Sequence, residues 1–206
     1  MTSDAPAQFT HEYRVGDPEK VTLLLLHGTG GDEHDLIPLG ERVLPGATLL
    51  SPRGQVSEGG ALRFFRRHAE GVLDIPDLQA RADQLAAWLR GQIVARGLPP
   101  RIVAVGFSNG ANIATALMFR HPGLLAGAAL IRVMMTYTPE PLPSLAGTRV
   151  LLSSGRADPL VPEVQVDALD ALFTATGAEC TVAWQHAGHN LAPGDLIAMR
   201  EWLAEF

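Results

Sequence analysis

A chain of 206 residues is enough for one well-buried core and short for two, so a single domain over residues 1–206 is expected. Hydrophobic residues make up 47% and charged residues 18%, the balance of a soluble globular protein, and no apolar run reaches the roughly 18 residues of a membrane span. The net charge of -6 argues against a nucleic-acid partner, which would need cations to neutralise phosphates.

The first residues, MTSDAPAQ, have neither the basic start nor the apolar stretch of a signal peptide. They read as flexible, as does the whole of residues 1–10. The lone Cys180 excludes an internal disulfide and suits a reducing, cytoplasmic compartment. It stands in a strand-like run, CTVAW, with no turn to present it, so a buried structural thiol is expected there rather than a nucleophile.

In chain order, HEYRV reads as an edge strand before the turn signal Gly16-Asp17-Pro18. Val21 to Leu26, VTLLLL, is a buried-strand run, and His27-Gly28-Thr29-Gly30-Gly31 follows it. Glycines directly after a strand let the backbone pass close to something. No G-K-[ST] follows, which argues against a phosphate loop. Asp32, Glu33, His34 and Asp35 are consecutive polar residues with no second cluster at ligand spacing. A solvated helix start with an acidic first turn is expected, not a metal site. Ala47 to Leu50 is a short strand ending at the turn Ser51-Pro52-Arg53-Gly54.

From Gly54 to about Pro76 no clear period is visible. Loops of that length in compact domains usually carry function. Phe64 and Phe65, between Arg63 and Arg66-Arg67, are offered as an acyl- or ring-binding wall, with an arginine to pair a substrate carboxylate. The competing reading is a core aromatic pair beneath a solvated basic surface. Asp74 or Asp77 then caps a helix starting near Pro76, with Leu78, Ala82, Leu85, Leu89 and Ile93 at helical spacing and Gly97 as its stop.

The segment from Arg101 to His121, RIVAVGFSNGANIATALMFRH, organises the rest. A β-branched apolar run leads into Gly106-Phe107-Ser108-Asn109-Gly110, a match to G-x-S-x-G, and then into a helix-forming stretch. A strand that reverses directly into a helix strains its turn residue, and Gly106 and Gly110 supply room around Ser108. The turn sets the hydroxyl clear of the backbone, where an imidazole can take its proton, and at a helix N-terminus that favours developing negative charge. In a serine hydrolase one oxyanion donor comes from the residue after the nucleophile and one from a loop after an earlier strand. The backbone N–H groups of Asn109 and Thr29 are assigned those places.

Leu125 to Val133 reads as a further buried strand. Met134 follows where that strand opens toward the serine, and is a candidate for the pocket floor beside core packing. Thr148 to Ser154 is the next strand, and Asp158 lies just beyond it, where an acid meets neighbouring loops. Val164 to Phe173 is amphipathic and helical. Cys180 to Gln185 is the last strand, leading into His186-Ala187-Gly188-His189-Asn190. Gly188 frees the backbone before His189, which makes His189 the presented imidazole and His186 strand-end packing. Leu196 to Phe206 suits a closing helix.

The order Ser108, Asp158, His189 resembles the α/β-hydrolase family, whose triad runs in that order. More narrowly, the chain is similar to the small carboxylesterase, acyl-protein thioesterase and phospholipase-like branch, and most nearly to bacterial hydrolases of the hydroquinone-response type, also described as dienelactone-hydrolase-like. The resemblance rests on LLLLHGTGGDEHDL, SPRG, GFSNGANIA, GRADPLVP and AGHN, which together span nearly the whole chain. It implies a mostly parallel twisted sheet with helices on both faces and no large lid, no metal and no cofactor, and hydrolysis of a small-molecule ester, or of a thioester or lipid. One departure is that dienelactone hydrolases use a cysteine where position 108 is serine. A non-catalytic ligand-binding protein of the same fold, and a homodimer, are left open.

Overall fold

In the computed structural model, which describes residues 8–206, eleven strands and five helices follow one another as β1 (His11–Arg14), β2 (Thr22–Leu26), α1 (Ile37–Val43), β3 (Leu49–Pro52), β4 (Val56–Glu58), β5 (Ala61–Arg63), β6 (Arg67–Ala69), β7 (Val72–Leu73), α2 (Ile75–Arg96), β8 (Ile102–Phe107), α3 (Asn109–Arg120), β9 (Gly127–Ile131), β10 (Arg149–Gly155), α4 (Glu163–Ala175), β11 (Glu179–Gln185) and α5 (Pro193–Leu203). Seven strands make one sheet in the order β1-β3-β2-β8-β9-β10-β11. All its pairs are parallel except the edge pair of β1 with β3. Most of the expected N-terminal flexible stretch, residues 1–7, lies outside the described residues.

The parallel strands are buried on both faces, which is why they read as unbroken apolar runs rather than alternating ones. Successive side chains still point to opposite sides. Leu24, Leu26, Ile102 and Ala104 join the core beneath α2, α3 and α4, whereas Leu23, Leu25, Val103 and Val105 pack under α1 and α5. Helix α2 begins where expected. Asp74 is its N-cap, its carboxylate accepting the Asp77 N–H at 3.1 Å, and Gly97 ends it in the left-handed conformation at φ 60°.

Two expectations are corrected. The segment after Gly54 is not irregular but forms two short antiparallel hairpins, β4–β5 and β6–β7. Strands of two or three residues are too short to show a period. The acidic run 32–35 precedes α1 rather than forming its first turn, and Glu33 is buried. Its carboxylate accepts from Arg53 Nε at 2.5 Å and Nη2 at 2.6 Å, an ion pair that holds it below the usual carboxylate range. No helix is long and apolar enough to cross a membrane among the described residues.

Because β2, β8, β9, β10 and β11 run in parallel, the segments after them gather at one edge of the sheet. Strands β2 and β8 are neighbours there, with the chain winding away from that seam in both directions, the position at which open α/β sheets bind ligands.

Candidate active site

Ser108 joins β8 directly to α3 and has φ 51° and ψ -111°, a conformation that residues other than glycine rarely hold. Its N–H donates to the carbonyl of Ile131 at 2.8 Å, which ties the turn to the end of β9. A Cβ on Gly106 would lie 2.7 Å from the Gly110 carbonyl, and one on Gly110 would meet the Leu26 and His27 carbonyls. The two glycines are therefore required for packing, as the spacing of the motif implied.

His189 lies in the segment after β11. Its Nδ1–H donates to Asp158 Oδ2 at 2.8 Å, and that assigns the tautomer, because a carboxylate only accepts. Nε2 is then the acceptor for the Ser108 hydroxyl at 2.9 Å. Asp158 is buried, and its Oδ1 accepts the Leu160 N–H at 2.8 Å, so the second oxygen is held toward the ring. The structure thus brings the three residues singled out in the sequence into one continuous line. His186, expected to pack at the strand end, is exposed instead.

Thr29 and Asn109 both line the cavity in front of Ser108, whose volume is about 40 Å³. Neither backbone N–H donates to another group among the described residues, so both are free for a ligand. Met134 lines the same cavity and also packs against the core. Phe64 and Phe65 do not line the cavity. They are 2% and 0% exposed and belong to the core, the Phe64 ring 4.7 Å from that of His27, and the expectation of an aromatic binding wall gives way to the core reading. Large rings remove more apolar area from water inside the sheet layer than at a small polar cleft.

The arginines flanking the two phenylalanines, offered as partners for a substrate carboxylate, do reach the cavity, where Glu70 also lines the wall. Arg63 and Arg67 face the cavity, and the side chain of Arg63 is only 4% exposed. Arg63 Nη1 donates to Thr29 Oγ1 at 2.5 Å and Nε to the Phe65 carbonyl at 3.1 Å, while Nη2 makes no hydrogen bond among the described residues. Burial lowers its pKa, the neighbouring Arg67 lowers it further, and Glu58 only partly offsets both. Glu58 is shared, since Arg67 Nε also donates to it, at 3.0 Å. Among the described residues no group of three or more His, Cys, Asp or Glu is placed to hold a metal ion.

No family model matches the chain. "Putative hydrolase MhqD" of Bacillus subtilis (strain 168) is 41% identical to it over 199 residues, which cover 95% of this chain and 98% of that protein. The chain belongs to the carboxylesterase-like α/β-hydrolases. Within that family, the solved carboxylesterase of Bacillus cereus is 40% identical with a TM-score of 0.94, over 97% of this chain and 95% of its own. YahD, whose structure was solved with malic acid, is 28% identical with a TM-score of 0.90, over 96% of this chain and 99% of its own.

Proposed function

We propose that this carboxylesterase-like α/β-hydrolase is a serine esterase that cleaves carboxylic esters of small or medium acyl or aryl groups through an acyl-enzyme on Ser108. The carrying observation is the hydrogen-bonded line from Asp158 through His189 to Ser108, at 2.8 and 2.9 Å. As the Ser108 oxygen bonds to the ester carbonyl carbon, its proton passes to His189 Nε2, and Asp158 holds and stabilises the imidazolium. The carbonyl oxygen takes the negative charge between the N–H groups of Thr29 and Asn109, at the N-terminus of α3. Collapse of that adduct expels the alcohol, which receives the proton from His189. Water then attacks the acyl-serine by the same path, and the acid and the free hydroxyl are released.

A cavity of about 40 Å³ favours a short group over a long lipid chain on this side of the serine. Arg63 and Arg67 outnumber Glu70 in its lining, which favours a short acyl group that carries its own carboxylate, with Arg63 Nη2 as the donor. The malic acid of the YahD structure, a dicarboxylic acid, supports the same chemistry. Thioesters fit the line of side chains equally well, and acyl-CoA against aryl-ester rates separate the two.

The test is turnover of p-nitrophenyl acetate and labelling by a fluorophosphonate. Ser108→Ala and His189→Ala are expected to lose at least about a thousandfold in kcat. Near-normal turnover by Ser108→Ala would reject the mechanism, and an unlabelled wild-type protein would favour a non-catalytic ligand-binding protein. For the substrate class, the p-nitrophenyl half-ester of succinic acid is expected to exceed p-nitrophenyl butyrate in kcat/KM, and Arg63→Met to abolish that preference. Equal rates in the wild type would remove the carboxylate from the proposal.

A further inference from the structure

Arg132 stands in the run Leu130-Ile-Arg-Val-Met, where every neighbour is apolar, and its side chain is fully buried. It is the residue at which the chain leaves β9, and its φ of 55° is one of two positive values at non-glycine residues among the described residues, the other being that of Ser108. A buried guanidinium is costly unless every N–H finds an acceptor. Here all five do. Nε donates to the carbonyl of Gly188 at 2.8 Å and Nη2 to that of Asn190 at 2.9 Å. Nη1 donates to the Ser153 carbonyl at 3.0 Å, and Nη1 and Nη2 each reach one oxygen of Asp195, at 2.8 and 2.9 Å.

The two carbonyls held by this guanidinium belong to the residues immediately before and after His189. Asp195, 1% exposed, is fixed in turn by the Ser153 hydroxyl at 2.6 Å and the Ala192 N–H at 2.7 Å. The pair therefore joins the end of β9, the end of β10, the first turn of α5 and both sides of the His189 backbone. Ile131, the residue before Arg132, accepts the N–H of Ser108. Two consecutive residues at the end of one strand thus hold the backbones of the nucleophile and of its base.

From this we propose that Arg132, locked by Asp195, is a positioning residue that sets the distance and angle between His189 Nε2 and Ser108 Oγ. The inference rests on the serine-esterase reading. It assigns a role to a buried ion pair that touches neither substrate nor reacting atoms, acting only through the main chain on either side of His189. Besides Arg132, the Ala157 N–H holds the Ala187 carbonyl before Gly188 at 3.0 Å, but the guanidinium is what grips both residues flanking His189, and a base displaced by about 1 Å costs on the order of 100-fold in rate.

The test compares kcat, KM and fluorophosphonate labelling in the full-length wild type, in Arg132→Lys and in Arg132→Met/Asp195→Leu. The double replacement exchanges the pair for apolar groups, a change that folded proteins commonly tolerate. It is expected to keep a cooperative melting transition while kcat and the labelling rate fall together by about 100-fold and KM stays within about threefold. Arg132→Lys keeps the charge beside Asp195 but cannot span both carbonyls, and about a tenfold loss in the same two rates is expected, so it decides the question if the double variant does not fold. Labelling must still run to one probe per chain, only more slowly. Sub-stoichiometric labelling at the wild-type rate would reveal a merely structural role and overturn the proposal, as would wild-type kcat in either folded variant. A wild-type protein that is not labelled at all would overturn the serine-esterase reading and this inference with it. A labelled wild type with unaltered variants overturns this inference alone.

Discussion

The side chain of Asn109, the residue after the candidate nucleophile, accepts the backbone N–H of Phe64 through Oδ1 at 2.7 Å. That bond fastens the start of α3 to the segment that carries Arg63, and Arg63 in turn donates to Thr29. The loop of Thr29 and the start of α3 are therefore tied to the same Arg63-Phe64 segment by one hydrogen bond each, the first part-buried and the second buried, although Thr29 and Asn109 are 80 positions apart in the sequence. Asn109→Ala leaves the Phe64 N–H without an acceptor. It is expected to lower the unfolding free energy by about 1–3 kcal/mol in a urea titration. A parallel fall of about tenfold in kcat/KM is expected as the Thr29 side of the site shifts, and unchanged stability would show that water replaces the bond.

With Ser108 as the proposed nucleophile, the strain at this residue is expected to set stability against activity. Glycine tolerates a positive φ, so Ser108→Gly removes a conformational cost of roughly 1–3 kcal/mol but adds freedom to the unfolded chain. The net expectation is a gain of about 1 kcal/mol, or roughly 2–4 °C in melting temperature for a chain of this size, together with loss of ester turnover. A lower melting temperature would mean that the turn is not strained.

His27 links the first glycine loop to pH. Its ring is buried, donating from Nδ1 to the Gly28 carbonyl at 2.7 Å and accepting the Gly54 N–H at Nε2 at 2.9 Å, and burial lowers its pKa. The unfolded chain binds this proton near pH 6.5 while the folded chain still excludes it, so stability is lost as pH falls from there toward the lower folded value. Melting temperatures measured between pH 7.5 and 5 are expected to fall for the wild type and to fall less for His27→Asn. Parallel slopes would assign the pH dependence to other groups.

Cys180 packs against the core at the start of β11, and burial, with the Asp170 carboxylate next to it, raises its pKa. Thiolate is the reactive form, so the native thiol is expected to react with Ellman's reagent at pH 8 on the order of 100-fold more slowly than in urea. Equal rates would place the sulfur at an open surface.

Much of the candidate site was legible in the chain because its signals are local. The strand, the glycines and the serine of residues 102–110 specify their own turn, since the steric demands act between residues a few positions apart. Asp158 and His189 were legible for a related reason: in a parallel sheet every strand's C-terminal end faces the same edge, so a carboxylate and an imidazole just past two strands arrive beside the serine. Gly188 before His189 separated that histidine from His186, which the fold leaves exposed.

The supports of the site were not legible. Phe64 and Phe65 carry no signal that distinguishes a pocket wall from a core, and only the layer above the sheet decides that they are buried. Hairpins of two or three residues per strand fall below the length at which alternation shows. Arg132 did announce itself as a charge in an apolar run, but its acceptors lie 21 to 63 positions away. Short-range patterns thus determined which side chains are candidates for the chemistry, because steric preference and hydrophobic period are properties of neighbouring residues. What holds those side chains in register was decided only when distant segments met, because a buried ion pair is defined by its partners in space.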